Sequence, residues 1–188
     1  MSLILASGSP QRRAILQQLG VPFTVVVSGA PELTAGPPHE LVAENAYRKA
    51  AAVAGQAEHA QATVLGVDTI VALRERIFGK PESEREARET LQLLSGRRHT
   101  VLSGICLIEG GRQRTAVAAT SVDFRPIDRP LLDWYLASGE WGGRAGGYAI
   151  QGRGAALVAG IEGDYLNVVG LPVTTLLELA PALLQMSD

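Results

Sequence analysis

"ILASGSPQRRAIL", residues 4–16, passes from an apolar, strand-like run into a helix start within a few residues. Ser9 stands where an N-cap belongs and Pro10 is pre-set for the first helical position. A strand that hands over to a helix in this way opens a mixed α/β fold. The same stretch puts Arg12 and Arg13 in the first helical turn, beside unpaired backbone N–H groups and the positive end of the macrodipole. A cation there costs roughly 0.3–1 kcal/mol. An anion would reverse that cost, and the hydroxyls of Ser7 and Ser9 together with one guanidinium fork suit a phosphate. The alternative is a solvated arginine pair. Consecutive helix positions diverge by about 100°, so the two arginines do not face one ligand atom together.

Outward from this stretch, turn signals cut the chain into short elements in which strand-like runs alternate with segments of helical period. After Gly20 ends the first helix, "VPFTVVVSG" (21–29) returns as a strand, and the Pro/Gly-rich loop "PELTAGPPHE" (31–40) leads to a helix over about residues 40–57. Leu41, Ala46, Ala50 and Val53 approximate one apolar face of that helix. "TVLGVDTIVAL" (63–73) is apolar enough for a strand buried on both faces. A turn around Gly79–Pro81 then opens a helix in "ESEREARETLQLLSG" (82–96). Two strands, "HTVLSGICLIEG" and "RTAVAATSVDFRPI", are joined by the turn "EGGR". A short helix, a glycine-rich loop over 139–154, a strand "AALVAGI" and a closing helix opened by Pro172 complete the order. There is no internal repeat, and the expectation is one domain over residues 1–188.

Composition bounds the function. The chain has 188 residues, 46% hydrophobic and 19% charged, with a formal net charge of -2. It therefore has no global basic field, and extended nucleic-acid binding is disfavoured; any phosphate affinity must come from local placement of cations. The single cysteine, Cys106, sits in the apolar run "GICLI" and reads as core filler in a reducing compartment. With no signal-peptide pattern and no run near the roughly 18 apolar residues of a span, the expectation is a cytoplasmic protein without membrane contact.

Asp68, inside "VLGVDTIV", is the sharpest chemical signal, because a carboxylate in so apolar a strand must be paired, metal-bound or placed at an open end. The plainer reading is a strand-end carboxylate capping a turn. Glu32 lies in a loop, where an acid is solvated by default. Lys80, beside a proline, can carry a point charge to phosphate or simply cover a turn. Lys49 shares a mostly apolar helix with Glu44 and Arg48, the usual place for a snorkelling surface residue. Gln151, in the glycine-rich loop, has an amide able to read a base edge or to bond the loop itself. That loop, read as a ligand-approach surface or a mobile lid, matches neither the P-loop nor the dinucleotide fingerprint. His39, His59 and His99 have no zinc spacing, and no serine has a nucleophile-elbow context. Acids, lysines and an anion-ready helix point to a magnesium-assisted phosphate reaction.

Six segments in order, "LILASGSPQRRAIL", "GVDTIV", "GKPES", "LSGRRHTVLSG", "AGGYAIQGRG" and "IEGDYLNVVGLP", closely resemble the Maf family over nearly the whole chain. The resemblance implies an elongated mixed β-sheet with flanking helices, an inosine-triphosphatase-like fold with two lobes around a cleft. It implies a nucleoside triphosphate pyrophosphatase that releases a monophosphate and pyrophosphate, a housecleaning enzyme of nucleotide pools. By the same resemblance Asp68 is the proton acceptor, and Glu32 with Asp68 holds Mg²⁺ or Mn²⁺. Arg12, Lys49 and Lys80 face phosphates, with Ser7, Ser9 and Arg13 beside them. Thr69 and Gln151 resemble the dTTP/UTP branch rather than the 7-methyl-GTP branch. Gln11 departs from both, since the first usually has Arg there and the second Trp, and this implies broader or altered selectivity. The family's association with septum formation supplies an alternative, a nucleotide-binding regulator without essential catalysis. A homodimer is left open.

Overall fold

The computed structural model describes residues 2–186. Its centre is a seven-stranded mixed sheet. β1 (Leu3–Leu5) pairs in parallel with β2 (Phe23–Val25) on one side and with the start of β3 (Thr63–Leu73) on the other. β3 then runs antiparallel to β5 (Arg98–Glu109), β5 to β6 (Arg112–Phe124) and β6 to β7 (Val158–Glu162). The short β4 (Arg76–Phe78) pairs only with the far end of β3, through Val71↔Phe78 to Leu73↔Arg76.

Alternation along the strands sorts the core onto two faces. Leu3, Leu5, Leu65 and Val67 point toward α1 (Pro10–Gln18), α5 (Tyr165–Val169) and α6 (Val173–Leu179), packing with Ile15, Leu16, Leu171 and Leu176. Ile4, Ala6 and Val64 point the other way, toward Ala46, Ala50 and Val53 of α2 (Pro38–Ala54). Cys106 is buried in that second cluster, and burial raises its thiol pKa, as suits core filler. A separate cluster makes the second lobe: Val71, Phe78 and Val101 pack with Ala87, Leu91 and Leu94 of α3 (Glu84–Leu94) and with Tyr135 and Leu136 of α4 (Arg129–Leu136).

Helix starts follow local chemistry. Ser9 caps α1 by accepting from the Arg12 N–H at 3.5 Å, Ser83 accepts from the Glu86 N–H at 3.2 Å, and Asp128 caps α4. Gly20, at φ 69°, turns the chain after α1.

Several expected boundaries shift. The second helix spans 38–54 instead of about 40–57, because Pro38 occupies its first turn and Gly55 its C-cap. Of 21–29 only Phe23–Val25 is strand, since it needs only to match the three residues of β1. β4 and α5, three and five residues long, are too short to show a period. Residues 153–157 form a 3₁₀ turn, so the last strand begins at Val158. Among the described residues no helix is long and apolar enough to cross a membrane.

Candidate active site

The cleft originates in an incomplete sheet edge. β1 stops pairing with β3 at Leu5↔Leu65, apart from one further bond from the Ala6 N–H to the Leu65 carbonyl, and β4 takes over only at Val71. Residues 66–70 of β3 are thus paired to β5 on one side and open on the other. A crevice where neighbouring strands part is where open α/β sheets bind ligands. Here it is a cleft of about 720 Å³ lined from both lobes.

On the α2 side of this edge stands Asp68, 5% exposed. Its Oδ1 is 2.6 Å from Lys49 Nζ, and its Oδ2 accepts from Asn45 Nδ2 at 3.0 Å. Lys49 also meets Glu32 Oε1 at 2.7 Å, so one buried ammonium is held between two carboxylates. Asn45 and Lys49 lie one helical turn apart on α2, on the same face as Ala46 and Ala50. The helix comes this close because β3 and β5 carry glycine beneath it. A Cβ on Gly66 would strike the backbone of Ala46 and Ala50, and one on Gly104, the partner of Asp68, would strike that of Val42. Asn45 also clamps the acidic loop, donating to the Leu33 carbonyl (3.0 Å) and accepting from the Leu33 N–H (2.7 Å). Glu32 is thereby held in place by its neighbour in sequence.

On the opposite face Thr69 meets Arg12. The guanidinium donates from Nε to the Gly170 carbonyl (2.9 Å), from Nη1 to Ser7 Oγ (2.9 Å) and from Nη2 to Thr69 Oγ1 (3.1 Å). Thr69 Oγ1 also lies 2.8 Å from the hydroxyl of the fully buried Ser103. Burial lowers the pKa of Arg12, against the opposing pull of Asp68 and Glu32. Arg12 thus ties α1, β3 and the end of α5 together at the cleft. Ser7 Oγ also accepts from the Ser9 N–H (3.3 Å), while Ser9 Oγ donates to Gln11 Oε1 (3.1 Å).

The second lobe supplies Lys80, Gln151 and the glycine-rich loop. That loop is tied down: the Gly146 N–H donates to the Gly79 carbonyl (3.0 Å), the Ala149 N–H to the Tyr135 hydroxyl (3.1 Å), and Tyr148 is 2.9 Å from His99 Nε2. Gly146, at φ 68°, packs so closely on Val71 that a Cβ would lie 2.7 Å from its Cγ2. These contacts make residues 146–149 a packed part of the cleft wall.

Ser7, Ser9, Gln11, Arg12, Glu32, Lys49, Asp68, Thr69, Lys80 and Gln151 all line the cleft. Arg13 does not; one helix position on from Arg12, it faces a separate groove with Gln17 and Phe23. Sequence reading passed over Asn45, Ser103, Arg144 and Tyr148. For Asn45 a signal existed: an amide on the apolar face of a helix, four residues before a lysine on that face, must find buried partners.

The family model for "Maf-like protein" matches residues 2–183. The dTTP/UTP pyrophosphatase of Symbiobacterium thermophilum is 47% identical over 173 residues, 91% of this chain and 88% of that one. That of Pelotomaculum thermopropionicum is 44% identical over 181 residues, 94% of each. Among solved structures, a nucleoside-triphosphatase described as a dITP/XTP pyrophosphatase from Mycobacterium abscessus is similar at a TM-score of 0.44 and 16% identity, over 66% of this chain and 74% of that one. With a family model matched over almost its whole length and relatives identical at nearly every second position, the chain belongs to the Maf-like family.

Proposed function

We propose that this protein hydrolyses a nucleoside triphosphate, with dTTP and UTP as first candidates, to the monophosphate and pyrophosphate. The observation that carries the reading is the Glu32–Lys49–Asp68 group at the open edge of β3. The relatives named dTTP/UTP pyrophosphatases, and Thr69 and Gln151 in the cleft, support the pyrimidine preference.

Asp68 Oδ1 and Oδ2 each keep a lone pair beyond the bonds from Lys49 and Asn45, so the carboxylate can take the proton of a water attacking the α-phosphorus. The new bond is water oxygen to phosphorus; the bond that breaks joins that phosphorus to the bridging oxygen, which departs with the pyrophosphate. Lys49, 2.6 Å from Oδ1, holds the Asp68 carboxylate in place. Ser7, whose oxygen already accepts two hydrogen bonds, retains its own proton for a phosphate oxygen.

The donor set fits a hard divalent cation. Glu32 and Asp68 flank the Lys49 ammonium, and their oxygen lone pairs beyond that contact would hold the ion together with substrate oxygens, since two carboxylates plus substrate oxygens are a common Mg²⁺ or Mn²⁺ environment. When bound there, such an ion supplies charge neutralisation to the phosphates. The role that follows is clearance of surplus or modified pyrimidine nucleotides from cytoplasmic pools.

The test is incubation with Mg²⁺ and dTTP, UTP, CTP, 5-methyl-UTP, GTP or 7-methyl-GTP, with products separated. Monophosphate plus pyrophosphate is expected, fastest from dTTP or UTP. Diphosphate plus orthophosphate would overturn the proposed site of attack. Repeating the panel with Gln11→Arg shows whether position 11 sets the ranking.

A further inference from the structure

The charges lining the cleft are unevenly distributed. On the first wall Arg12 and Lys49 are matched by Glu32 and Asp68, and both cations are already bonded within the chain. The remaining charged residues in the lining are Lys80 and Arg144, both on the second lobe. Neither makes an ion pair among the described residues, and Arg144 Nε is buried without a hydrogen-bond partner. A buried guanidinium nitrogen with no acceptor is costly to maintain unless a ligand supplies one. The two cations are also held together: the Gly146 N–H to Gly79 carbonyl bond joins the loop of Arg144 to that of Lys80. The Gly147 N–H donates to the Arg144 carbonyl at 3.0 Å, fixing the backbone from which the guanidinium extends.

We infer that Arg144 is a polyphosphate-binding residue, which with Lys80 receives the two terminal phosphates, the half of the triphosphate that departs as pyrophosphate. This inference rests on the hydrolysis proposed above. The first wall, charge-balanced and close to Asp68, takes the α-phosphate where the bond breaks. The second wall, carrying two unmatched positive charges, takes the part of the substrate whose charge increases as the bridging oxygen leaves. A guanidinium suits this role because its planar fork can bond two phosphate oxygens at once.

The experiment compares wild type with Arg144→Gln and Arg144→Lys, each checked for folding by circular dichroism and thermal melting, and uses Arg85→Gln, on the exposed face of α3, as a control. KM and kcat for UTP are measured with Mg²⁺, together with inhibition by pyrophosphate and by UMP. For Arg144→Gln the expected result is a KM at least tenfold higher and pyrophosphate inhibition weakened by a similar factor, with UMP inhibition within twofold of wild type. Arg144→Lys should recover part of both losses. Unchanged KM and pyrophosphate inhibition in a wild-type-like fold, or equal weakening of UMP and pyrophosphate, would overturn the assignment. An unfolded Arg144→Gln beside a folded, fully wild-type-like Arg144→Lys would also overturn it, as a charge held for structure. If wild type itself releases no pyrophosphate, the underlying hydrolytic reading fails instead.

Discussion

At the scale of single residues, the site depends on side chains whose polar atoms are committed to other groups of the chain. Asn45 is the clearest, since one amide serves three partners: Asp68 Oδ2, the Leu33 carbonyl and the Leu33 N–H. Asn45→Ala leaves all three without that partner, and its expected cost is about 2–3 kcal/mol in urea unfolding. The loop bearing Glu32 is released at the same time, so hydrolysis should fall at least tenfold through lost alignment. Asn45→Asp separates shape from chemistry. It keeps the volume but removes both N–H donors and sets a third carboxylate beside Asp68, so its activity should be no better than that of the alanine variant. Near-wild-type activity in Asn45→Asp would show that the amide donors do not position Asp68. Arg12 teaches the complementary point. Expected at the phosphates from its place in the first helical turn, it lines the cleft while bonded to a serine, a threonine and a backbone carbonyl, so it also holds the site's own groups in place.

At the scale of elements, the determining contact is α2 against the middle of β3 and β5. Gly66 and Gly104 leave room for the backbone of α2 to rest on the sheet, and this close approach brings Lys49 and Asn45 to Asp68. Gly66→Ala forces the helix outward. Overpacking of a tight core costs about 1–3 kcal/mol, and because backbone rather than a flexible side chain stands in the way, the expected loss is at the top of that range. Activity should fall more than stability explains, since a lifted α2 withdraws Lys49; chemical denaturation and hydrolysis measured on the same sample check this. Unchanged turnover would mean that the approach of α2 serves packing only. The elements that position the site were largely legible beforehand: the strand around Asp68 from its unbroken apolar run, α1 from Ser9-Pro10, α3 from its acidic first turn. The open edge of β3 was not, because it arises where β1 stops and β4 begins, and a three-residue strand has no period to read. Nor could spacing along the chain bring Glu32, Lys49 and Asp68 together, because only the pairing of strands and the seating of α2 make them neighbours.

At the scale of the whole molecule, two lobes share one sheet and meet at the cleft, so the second lobe's packing is also the cleft's wall. His99, 2% exposed, sits on β5 at the centre of that packing, with Phe124 and Tyr148 edge-on to its ring and the Tyr148 hydroxyl 2.9 Å from Nε2. Burial lowers its pKa to about 4, outweighing the Arg97 backbone and the charge of Asp123, which act in the opposite direction. The unfolded chain, with histidine near its ordinary 6.5, takes up the proton first as pH falls. This contribution to stability is therefore complete above about pH 6.5 and is lost progressively toward pH 4. By linkage the loss over that window is about 3 kcal/mol, from roughly 1.4 kcal/mol per pH unit. His99→Gln keeps an amide able to bond Tyr148 but does not titrate. Between pH 7 and pH 4 the wild type should lose about 3 kcal/mol more than this variant in urea unfolding, whatever the carboxylates contribute to both. Parallel stability curves would show that His99 is not the acid-sensitive group. Because Tyr148 lines the same cleft as Gln151, loosening of this packing would disturb the cleft wall. Wild-type KM should accordingly stay level until His99 protonates in the folded chain near pH 4 and rise there, while His99→Gln shows no such rise.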